Sequence, residues 1–375
     1  MSRARYSGSD RYEVAVSIAR EWPAGVPVVY LSAGAKFADA LSAGPAAVKQ
    51  GGPLLLTKAE ALPVSVASEL RRLAPRRVVI VGGQASVSGA VFAAVQSAVP
   101  GAEVVRLGGA DRYEVSRAVV DDAFGASGAP LLYVATGVTF PDALSASPAA
   151  SAAGGAVLLV NGWEPGLDGR AAALAQKLRP SKIVIAGGTA SVPTSVESAF
   201  SAVAPTVRRG GENRYEVSVT LNSYAIPSAD RVFFATGKTF ADALSGGVLA
   251  GSVKSPLLVV PGACVTEAIR DRVQAYGAGT PIVFGGQASV SDAATRLEVC
   301  APPPPPPAPP APPAPQPPAP PAAPSNPGDS KNCGDFPDYA SAKAWFDTYY
   351  PWYGDIAKLD QDNDGIPCES LRGAP

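Results

Sequence analysis

Short apolar runs alternate with longer amphipathic stretches through the first 300 residues. In the first hundred residues the apolar runs lie at 28–31, 54–57 and 78–81 and are rich in Val, Leu and Ile. Unbroken runs of this length are typical of parallel strands that helices cover on both faces. This alternation predicts an α/β fold with a parallel sheet and right-handed crossovers. The remaining stretches predict helices at 12–22, 39–48, 64–73 and 89–99.

Three segments recur in the same order in three copies. The first, G-x-[DN]-R-Y-E-V, begins at residues 8, 109 and 211, so the copies are 101 and 102 residues apart. A period this long exceeds that of solenoid repeats and indicates three small tandem domains. The other two segments are F-[AP]-D-A-L-S at 37–42, 140–145 and 240–245, and G-G-x-A-S-V at 82–87, 187–192 and 285–290.

We place the three units at 1–104, 105–206 and 207–300. A short segment before each R-Y-E-V sequence is expected to form the strand that opens its own unit. No such segment follows residue 291, so three complete units are expected to end near residue 300. The three opening segments are 4–7, 104–108 and 207–210.

A proline-rich stretch follows the three units. Residues 302–324 contain 16 prolines in 23 positions, which excludes helix and sheet. We therefore expect a disordered or polyproline II linker at 301–330, stiff enough to act as a spacer of about 70 Å at ~3.1 Å per residue. The alternative interpretation is a ligand for an SH3-like domain.

Composition narrows the possible chemistry. The chain has no histidine, which excludes Ser-His-Asp triads, Cys-His pairs and His-ligated zinc hydrolases, although a carboxylate pair or a lysine base remains possible. No apolar run reaches the ~18 residues that a membrane helix needs.

The charge is unevenly distributed along the chain. Residues 1–300 carry 27 Lys and Arg against 23 Asp and Glu, a balance of +4, and residues 301–375 carry 4 against 9, a balance of −5. A mildly basic body is compatible with an anionic polymer and too weakly charged for a nucleic-acid binder.

Four cysteines, Cys264, Cys300, Cys333 and Cys368, all lie in the last third of the chain. They permit three pairings, of which proximity favours Cys264–Cys300 and Cys333–Cys368. Disulfide bonds indicate an oxidising, extracytoplasmic location, whereas the alternative is four reduced thiols. The chain begins MSRARYSGSD, without the apolar segment of a signal peptide, so we expect an export signal that was removed or a misplaced start.

An acidic motif stands near the C-terminus. Asp360, Asp362 and Asp364 precede Gly365 in the D-x-D-x-D-G pattern that opens an EF-hand calcium loop. Alternate carboxylates on a tightening turn converge on one point, and hard oxygen ligands favour Ca²⁺. Glu369 stands at the tenth loop position and Leu371 at the twelfth, where an EF-hand has its bidentate Glu. The alternative interpretation is a solvated acidic turn.

The tail at 331–375 resembles the excalibur extracellular calcium-binding domain, whose ending D-x-D-x-D-G-x-x-C-E it matches with DQDNDGIPCE. The resemblance implies that the short loop is a family trait and that a Cys333–Cys368 bond holds the end of the loop to the start of the domain. The calcium ligands that it implies are Asp360, Asp362, Asp364, Glu369 and the carbonyl of Ile366.

The three units resemble the cell wall-binding repeat type 2 family of Gram-positive bacteria in all three recurring segments. The resemblance implies units packed around a pseudo-threefold axis that attach a surface protein non-covalently to anionic wall polymer. Family members also carry a P-x-L-L-x segment. Pro53–Thr57 matches it well, Pro256–Val260 matches it less well, and Ala156–Val160 lacks the proline. The polymer-binding candidates from this segment are Pro53, Leu54, Leu55, Leu56, Thr57, Pro256, Leu257 and Leu258.

The arginine of each R-Y-E-V segment allows two interpretations. Arg11, Arg112 and Arg214 are candidate bidentate ligands of the polymer. Alternatively, each arginine pairs with an aspartate of the F-[AP]-D-A-L-S segment and fixes the units together, although helix capping alone explains those aspartates. The Gly-Gly pairs that follow one strand of each unit suit an anion site, but a tight turn explains them as well. The aspartates are Asp39, Asp142 and Asp242.

These observations predict a secreted, non-catalytic wall-attachment protein that is a monomer with internal pseudo-threefold symmetry. It binds anionic wall polymer through its three units and calcium through its tail, with no nucleic-acid partner. The alternative is a secreted wall hydrolase or nuclease with a carboxylate-based site, for which the three units, linker and tail leave no room for a catalytic domain. A nucleotide-binding α/β protein rests on fold analogy alone.

Overall fold

The structure, a computed structural model, describes residues 4–164, 166–301 and 321–375. The chain divides near residue 302 into two compact units, a three-copy block and a small tail. The strands of the block are β1 Arg5–Tyr6, β2 Val28–Ala33, β3 Leu54–Thr57, β4 Arg77–Val81, β5 Glu103–Leu107, β6 Leu131–Thr136, β7 Ala156–Val160, β8 Lys182–Ala186, β9 Thr206–Arg209, β10 Phe233–Thr236, β11 Leu257–Val260 and β12 Ile282–Phe284. Its helices are α1 Arg11–Ala19, α2 Ala43–Gln50, α3 Val64–Leu73, α4 Gly89–Ala98, α5 Arg112–Phe124, α6 Pro141–Ala152, α7 Gly169–Leu178, α8 Thr194–Ser201, α9 Arg214–Ala225, α10 Ala241–Ser252, α11 Glu267–Tyr276 and α12 Asp292–Thr295.

Each copy is built on a four-stranded parallel sheet. The strand orders are β3-β2-β4-β5, β7-β6-β8-β9 and β11-β10-β12-β1, so the three sheets have one topology. In the first sheet Leu31 pairs with both Leu55 and Ile80, and all three side chains are fully buried. Burial on both faces explains why these strands read as continuous apolar runs. The predicted α/β fold with three parallel-sheet units is confirmed.

The fourth strand of each sheet comes from the next stretch of the chain. β5 pairs with β4 and β9 pairs with β8, so each segment before an R-Y-E-V sequence completes the preceding sheet. The N-terminal strand β1 pairs with β12, with Arg5 opposite Val283. The prediction that these segments open their own units is therefore wrong, and the third unit is completed only by the N-terminus. The unit boundaries that we placed at 104/105 and 206/207 fall inside β5 and β9.

Three helices, α2, α6 and α10, lie where the copies meet. Almost every residue of α6 and α10 is buried, and the helices are rich in Ala, Gly and Ser. Small residues allow the close approach, since a side chain at Gly44 would collide with Ser147 of the neighbouring copy. One hydrophobic core therefore runs through all three copies.

The first copy departs from the predicted helix at 39–48. Its helix α2 begins at Ala43, after a series of turns that contain Asp39. In the other two copies the equivalent helix begins at Pro141 and Ala241, which places Asp142 and Asp242 in the first turn as predicted.

The G-x-[DN]-R-Y-E-V segment is a helix start. The side chain of Asp10 accepts hydrogen bonds from the backbone N–H groups of Tyr12 and Glu13, and Glu13 in turn accepts one from Ser9 N–H. This reciprocal arrangement differs from a capping box only in that the glutamate accepts from the residue before the N-cap, and Asp111 and Asn213 repeat it in the other copies. A Cβ atom at Gly8 would lie 2.5 Å from the Glu13 Cβ, which explains the glycine.

The tail contains a short 3₁₀ turn at Cys333–Asp335 and the helix α13 Tyr339–Tyr353. Its core consists of five buried side chains, with four partly buried ones packed against them. The expected linker falls mainly on residues 302–320, which lie outside the described residues. Pro324, at its described end, accepts a hydrogen bond of 2.7 Å from Tyr353 Oη. The five core residues are Ala342, Phe346, Ala357, Leu359 and Cys368.

Candidate functional site

Three phenylalanines from the three copies meet at one point. Phe37, Phe140 and Phe240 occupy the same position of the F-[AP]-D-A-L-S segment, in the loop that follows the first strand of each copy. Their ring centroids are 5.6, 5.7 and 5.8 Å apart, so each ring contacts both others. All three are only half-buried. The contact joins the carboxyl ends of the three sheets, the edge at which doubly wound proteins bind ligands.

One arginine lies over each of these rings. The guanidinium carbon of Arg112 is 5.7 Å from the Phe37 centroid, Arg214 is 5.6 Å from Phe140, and Arg11 is 5.7 Å from Phe240. Each arginine starts a helix in one copy and covers the phenylalanine of a neighbouring copy. We call these six residues, Arg11, Arg112, Arg214, Phe37, Phe140 and Phe240, the axial cluster.

Backbone carbonyls hold the three guanidinium groups in place. Nη1 of Arg11, Arg112 and Arg214 donates to the carbonyl oxygen of Gly34, Gly137 and Gly237 at 2.5, 2.7 and 2.8 Å. Each of these glycines directly follows the first strand of its copy. Arg11 is exposed and the other two are half-buried, so part of each guanidinium faces solvent. A guanidinium fixed by one hydrogen bond and one ring retains further N–H donors for an anion.

The aspartates of the same segments lie beneath the cluster. Asp142 is 7% exposed and Asp242 is 9% exposed, and this burial raises the pKa of both carboxyls above the ordinary value. Hydrogen bonds from Ser191 and Ser289, and the charges of Arg214 and Arg11, act in the opposite direction. Among the described ion pairs none joins these arginines to an aspartate, so the alternative pairing is present only as a longer-range attraction, of Arg214 for Asp142 and of Arg11 for Asp242.

The Gly-Gly pairs form tight turns against these aspartates. Gly82 has φ +110°, and a Cβ atom there would lie 2.5 Å from Asp39 Oδ2. Gly187 and Gly285 repeat this at φ +101° and +108°. The Gly-Gly pairs therefore lie in tight turns, as the second of the two interpretations expects.

A second set of arginines supports these turns, and our sequence reasoning missed it. Nη1 of Arg106, Arg208 and Arg5 donates to the carbonyls of Gly82, Gly187 and Gly285 at 2.9, 3.0 and 3.1 Å. The signal was available, because an arginine stands three residues before the first glycine of every G-x-[DN]-R-Y-E-V segment.

The P-x-L-L-x segments lie inside the protein. Leu54, Leu55, Leu56 and Thr57 form the strand β3 and are at most 2% exposed. Pro53 and Pro256 are buried, and Leu257 and Leu258 are 1% and 0% exposed in β11. The structure contradicts the prediction that these side chains contact polymer, because they are buried in the core and have no access to the surface.

The acidic loop of the tail gathers three carboxylates. Oxygen atoms of Asp360, Asp362 and Asp364 all lie within 4.8 Å of one another. Asp360 is buried and accepts from Asp364 N–H and Gly365 N–H at 3.2 and 2.8 Å, while Gly365 has φ +87°. The loop is thus bent around one point, and three hard oxygen donors fit Ca²⁺.

Glu369 and Ile366 lie beside this group. The charges of Asp362 and Asp364 raise the pKa of the Glu369 carboxyl, which places it within electrostatic reach of the three carboxylates. The backbone N–H of Ile366 donates to Asp364 Oδ1 at 2.9 Å. A cation bound to the aspartates would relieve the repulsion that Glu369 experiences.

Both predicted disulfide bonds are present. Cys264 and Cys300 have Cα atoms 5.0 Å apart, and Cys333 and Cys368 have Cα atoms 5.3 Å apart. The first joins the loop after β11 to the end of the third copy, and the second joins the start of the tail to the end of its acidic loop. In the part of the chain that the structure describes, none of the helices has the length and apolar character of a membrane span.

The recurring segments, the topology and the acidic loop match two known families. The family model described as Cell wall binding domain 2 (CWB2) matches residues 5–92, 106–197 and 208–295. The chain belongs to the cell wall binding domain 2 family. The model of the Excalibur calcium-binding domain matches residues 330–369 of the tail. Cell wall binding domain 2 units bind cell wall polymers, and both families fit an extracellular protein of the cell wall or surface.

Two proteins of Bacillus subtilis (strain 168) are similar to the chain. The N-acetylmuramoyl-L-alanine amidase LytC is 26% identical over 287 residues, which are 76% of this chain and 56% of LytC. The amidase enhancer is 29% identical over 258 residues, which are 68% of this chain and 34% of the enhancer. The chain therefore corresponds to about half or less of the length of these relatives.

Two solved structures from Clostridium difficile share the fold. Cwp6 superposes with a TM-score of 0.71 at 25% identity, over 78% of this chain and 47% of Cwp6. Cwp8 superposes with a TM-score of 0.72 at 23% identity, over 79% of this chain and 51% of Cwp8. The architecture of the cell wall binding domain 2 block is thus shared with larger proteins.

Proposed function

We propose that the chain is a non-catalytic attachment protein whose three-copy block binds an anionic wall polymer at the axial cluster. The observation that supports this most is the repetition of one guanidinium on one phenylalanine three times around a single point. Arg11, Arg112 and Arg214 each present fixed N–H donors beside half-buried aromatic rings. Planar guanidinium groups of this kind bind phosphate and carboxylate oxygens in a bidentate manner.

Further cations lie next to the cluster. Lys36 directly precedes Phe37, and Lys238 stands two residues before Phe240, and both side chains are exposed. A repeating polymer carries its charges at regular intervals, so it can contact several cations at once. Once one contact has formed, the others are intramolecular, and three weak contacts add up to firm attachment. This arrangement favours a polymer over a single small anion.

We propose further that the tail binds calcium through Asp360, Asp362, Asp364 and Glu369, with the Ile366 carbonyl as a fifth ligand. The proposal of a non-catalytic role is supported by the lack of histidine in the chain, which removes the most common general base. The chain matches only 56% of LytC and 34% of the amidase enhancer. A large part of each relative therefore has no counterpart in this chain, which also supports the proposal. We infer a monomer, since equivalent residues of the three copies already meet within one chain.

The test is sedimentation of the full chain with purified Gram-positive walls, before and after extraction of anionic polymer. The account predicts binding that weakens as salt rises, because exposed charges are screened over ~8 Å at physiological ionic strength. Extraction of the polymer should release the protein. Binding that persists on extracted walls contradicts the proposal, and so does lysis of the walls that depends on a single carboxylate.

A further inference from the structure

The second copy departs from the other two in one loop. Between β7 and α7 the loop comprises residues 161–168, eight residues, whereas the equivalent loops 58–63 and 261–266 comprise six. The longer loop carries Asn161, Trp163 and Glu164. Trp163 is 80% exposed, more than almost any other large apolar side chain of the described chain. Most of this side chain is open to solvent, and tryptophan is enriched at surfaces that contact a partner.

A second departure faces this loop. Arg117 stands in the helix α5 where the other copies have Val16 and Val219. Val16 is 5% exposed and packs in the outer core of the first copy. Arg117 instead extends to the loop, where its Nη1 lies 2.6 Å from Asp168 Oδ2. The extra loop residues and the charged side chain therefore belong to one local rearrangement.

The rearrangement borders a cavity of about 280 Å³. Buried apolar side chains, Leu159 and Val160 among them, form its base. Tyr113 forms one wall, and Asn161 and Glu164 lie at its rim, joined by a hydrogen bond of 2.8 Å from Asn161 Nδ2 to Glu164 Oε1. The cavity has room for one small ring, with an apolar side below and polar groups above.

The lining of the cavity has a negative charge balance, which disfavours an anion. Asp111, Glu164 and Asp168 supply three carboxylates and Arg117 one guanidinium, so the lining carries −2. Carboxylate and amide oxygens accept hydrogen bonds from hydroxyl groups, and carboxylates attract an ammonium group. The face of a tyrosine such as Tyr113 packs against the C–H face of a ring or against a cation. The ligand that combines these properties is a hydroxylated ring with a positive charge.

We propose that this cavity binds an amino sugar that carries a free ammonium group. The site lies in the second copy only and adjoins the axial cluster at Arg112, but none of the six cluster residues lines it, so the inference goes beyond attachment through anionic polymer. The ring hydroxyls donate to the rim oxygens, and the ammonium group lies among the carboxylates. Attachment by the axial cluster and recognition of an amino sugar are therefore two different contacts with the wall.

The test is calorimetric titration of the full chain with glucosamine, N-acetylglucosamine and glucose, accompanied by the emission of Trp163. Glucosamine should bind and change the emission, whereas the two neutral sugars should bind at least about ten-fold more weakly, a difference of ~1.4 kcal/mol. Equal binding of N-acetylglucosamine, or no binding of glucosamine at millimolar concentration, overturns the proposal.

Two variants locate the site. Glu164→Gln should weaken glucosamine binding at least about ten-fold, and Glu60→Gln, the same change in the exposed equivalent loop of the first copy, should leave it unchanged. Trp163→Ala should remove the change in emission. Both Glu variants should sediment with walls as the unaltered chain does, so a failure here is distinct from a failure of polymer binding. Unchanged affinity of Glu164→Gln overturns the assignment of the cavity.

Discussion

Two disulfide bonds of almost equal span lie in very different parts of the molecule. Cys264–Cys300 spans 36 residues in the three-copy block, and Cys333–Cys368 spans 35 residues in the tail. In a chain-entropy treatment each stabilises by about 4 kcal/mol. The block also has a core that runs through three copies, whereas the tail core has five buried side chains. A disulfide bond of the same span therefore adds to the stability of the block, which has a large core, and replaces missing core stability in the tail, which has a small one.

The largest expected effect is the loss of the tail bond. Replacing Cys333 and Cys368 by serine should abolish the thermal transition of the tail, because its core is too small to fold without the cross-link. The matched pair, Cys264→Ser with Cys300→Ser, removes a loop of nearly equal length from the block and should only lower its melting temperature. Calorimetry of the full chain resolves the two transitions. Equal effects of the two pairs would show that core size does not set the difference.

The next largest effect on stability is expected in the N-terminal strand β1, which completes the third sheet. Tyr6 is fully buried and packs on Phe284 at 5.5 Å between ring centroids. Tyr6→Ala should cost about 3 kcal/mol or more of the free energy of unfolding, as for other large aromatic truncations. Tyr6→Phe keeps the ring and loses the hydrogen bond to Glu21, so it should cost about 1 kcal/mol. Chemical denaturation measures both, and a mild Tyr6→Ala variant would contradict the role of β1 in the third sheet.

Calcium should act on the tail and spare the block. Asp362→Asn removes one of three converging carboxylates and should weaken calcium binding at least about ten-fold. Asp329→Asn makes the same change of charge at an exposed tail position outside the loop and is the control. Titration with calcium, read by the tail melting temperature, separates them. A tail that melts identically with calcium and with chelator would refute this prediction.

The smallest expected effect concerns pH. Burial raises the pKa of Asp242, so folding favours its protonated form. Its contribution to stability is present below the ordinary pKa of 3.8 and is lost as pH rises through the higher folded value. Asp242→Asn stays neutral, so its free energy of unfolding should fall less than that of the unaltered chain as pH rises over this range. Parallel pH profiles of the two chains would contradict the direction of the shift.

Local patterns predict the elements well and their partners poorly. The predicted bounds of β3 and α3 agree with the structure because each is a self-contained apolar or amphipathic run. The pairing of β1 with β12 could not be read from the sequence, since two residues, Arg5 and Tyr6, pair with a strand about 280 residues away and carry no local mark of that partner.

In the candidate site, too, local features could be predicted and contacts between distant segments could not. The acidic loop and the cysteine pairs are local in sequence and were predicted. The buried position of Leu54–Thr57 was misread because a P-x-L-L-x segment in a buried strand looks the same in sequence as one at a surface. The stacking of Arg112 on Phe37 joins two copies, and only the recurrence of Phe in three polar loops pointed to it.

The most direct test of the account is the affinity for walls of a chain with Arg11, Arg112 and Arg214 all changed to glutamine. The control changes three exposed arginines of the first copy, Arg20, Arg71 and Arg76, to glutamine and alters the net charge equally. Sedimentation at physiological salt should show at least about a ten-fold loss for the axial variant and little change for the control. Equal losses in the two variants, with both chains folded by calorimetry, would contradict the claim that the axial cluster binds the polymer.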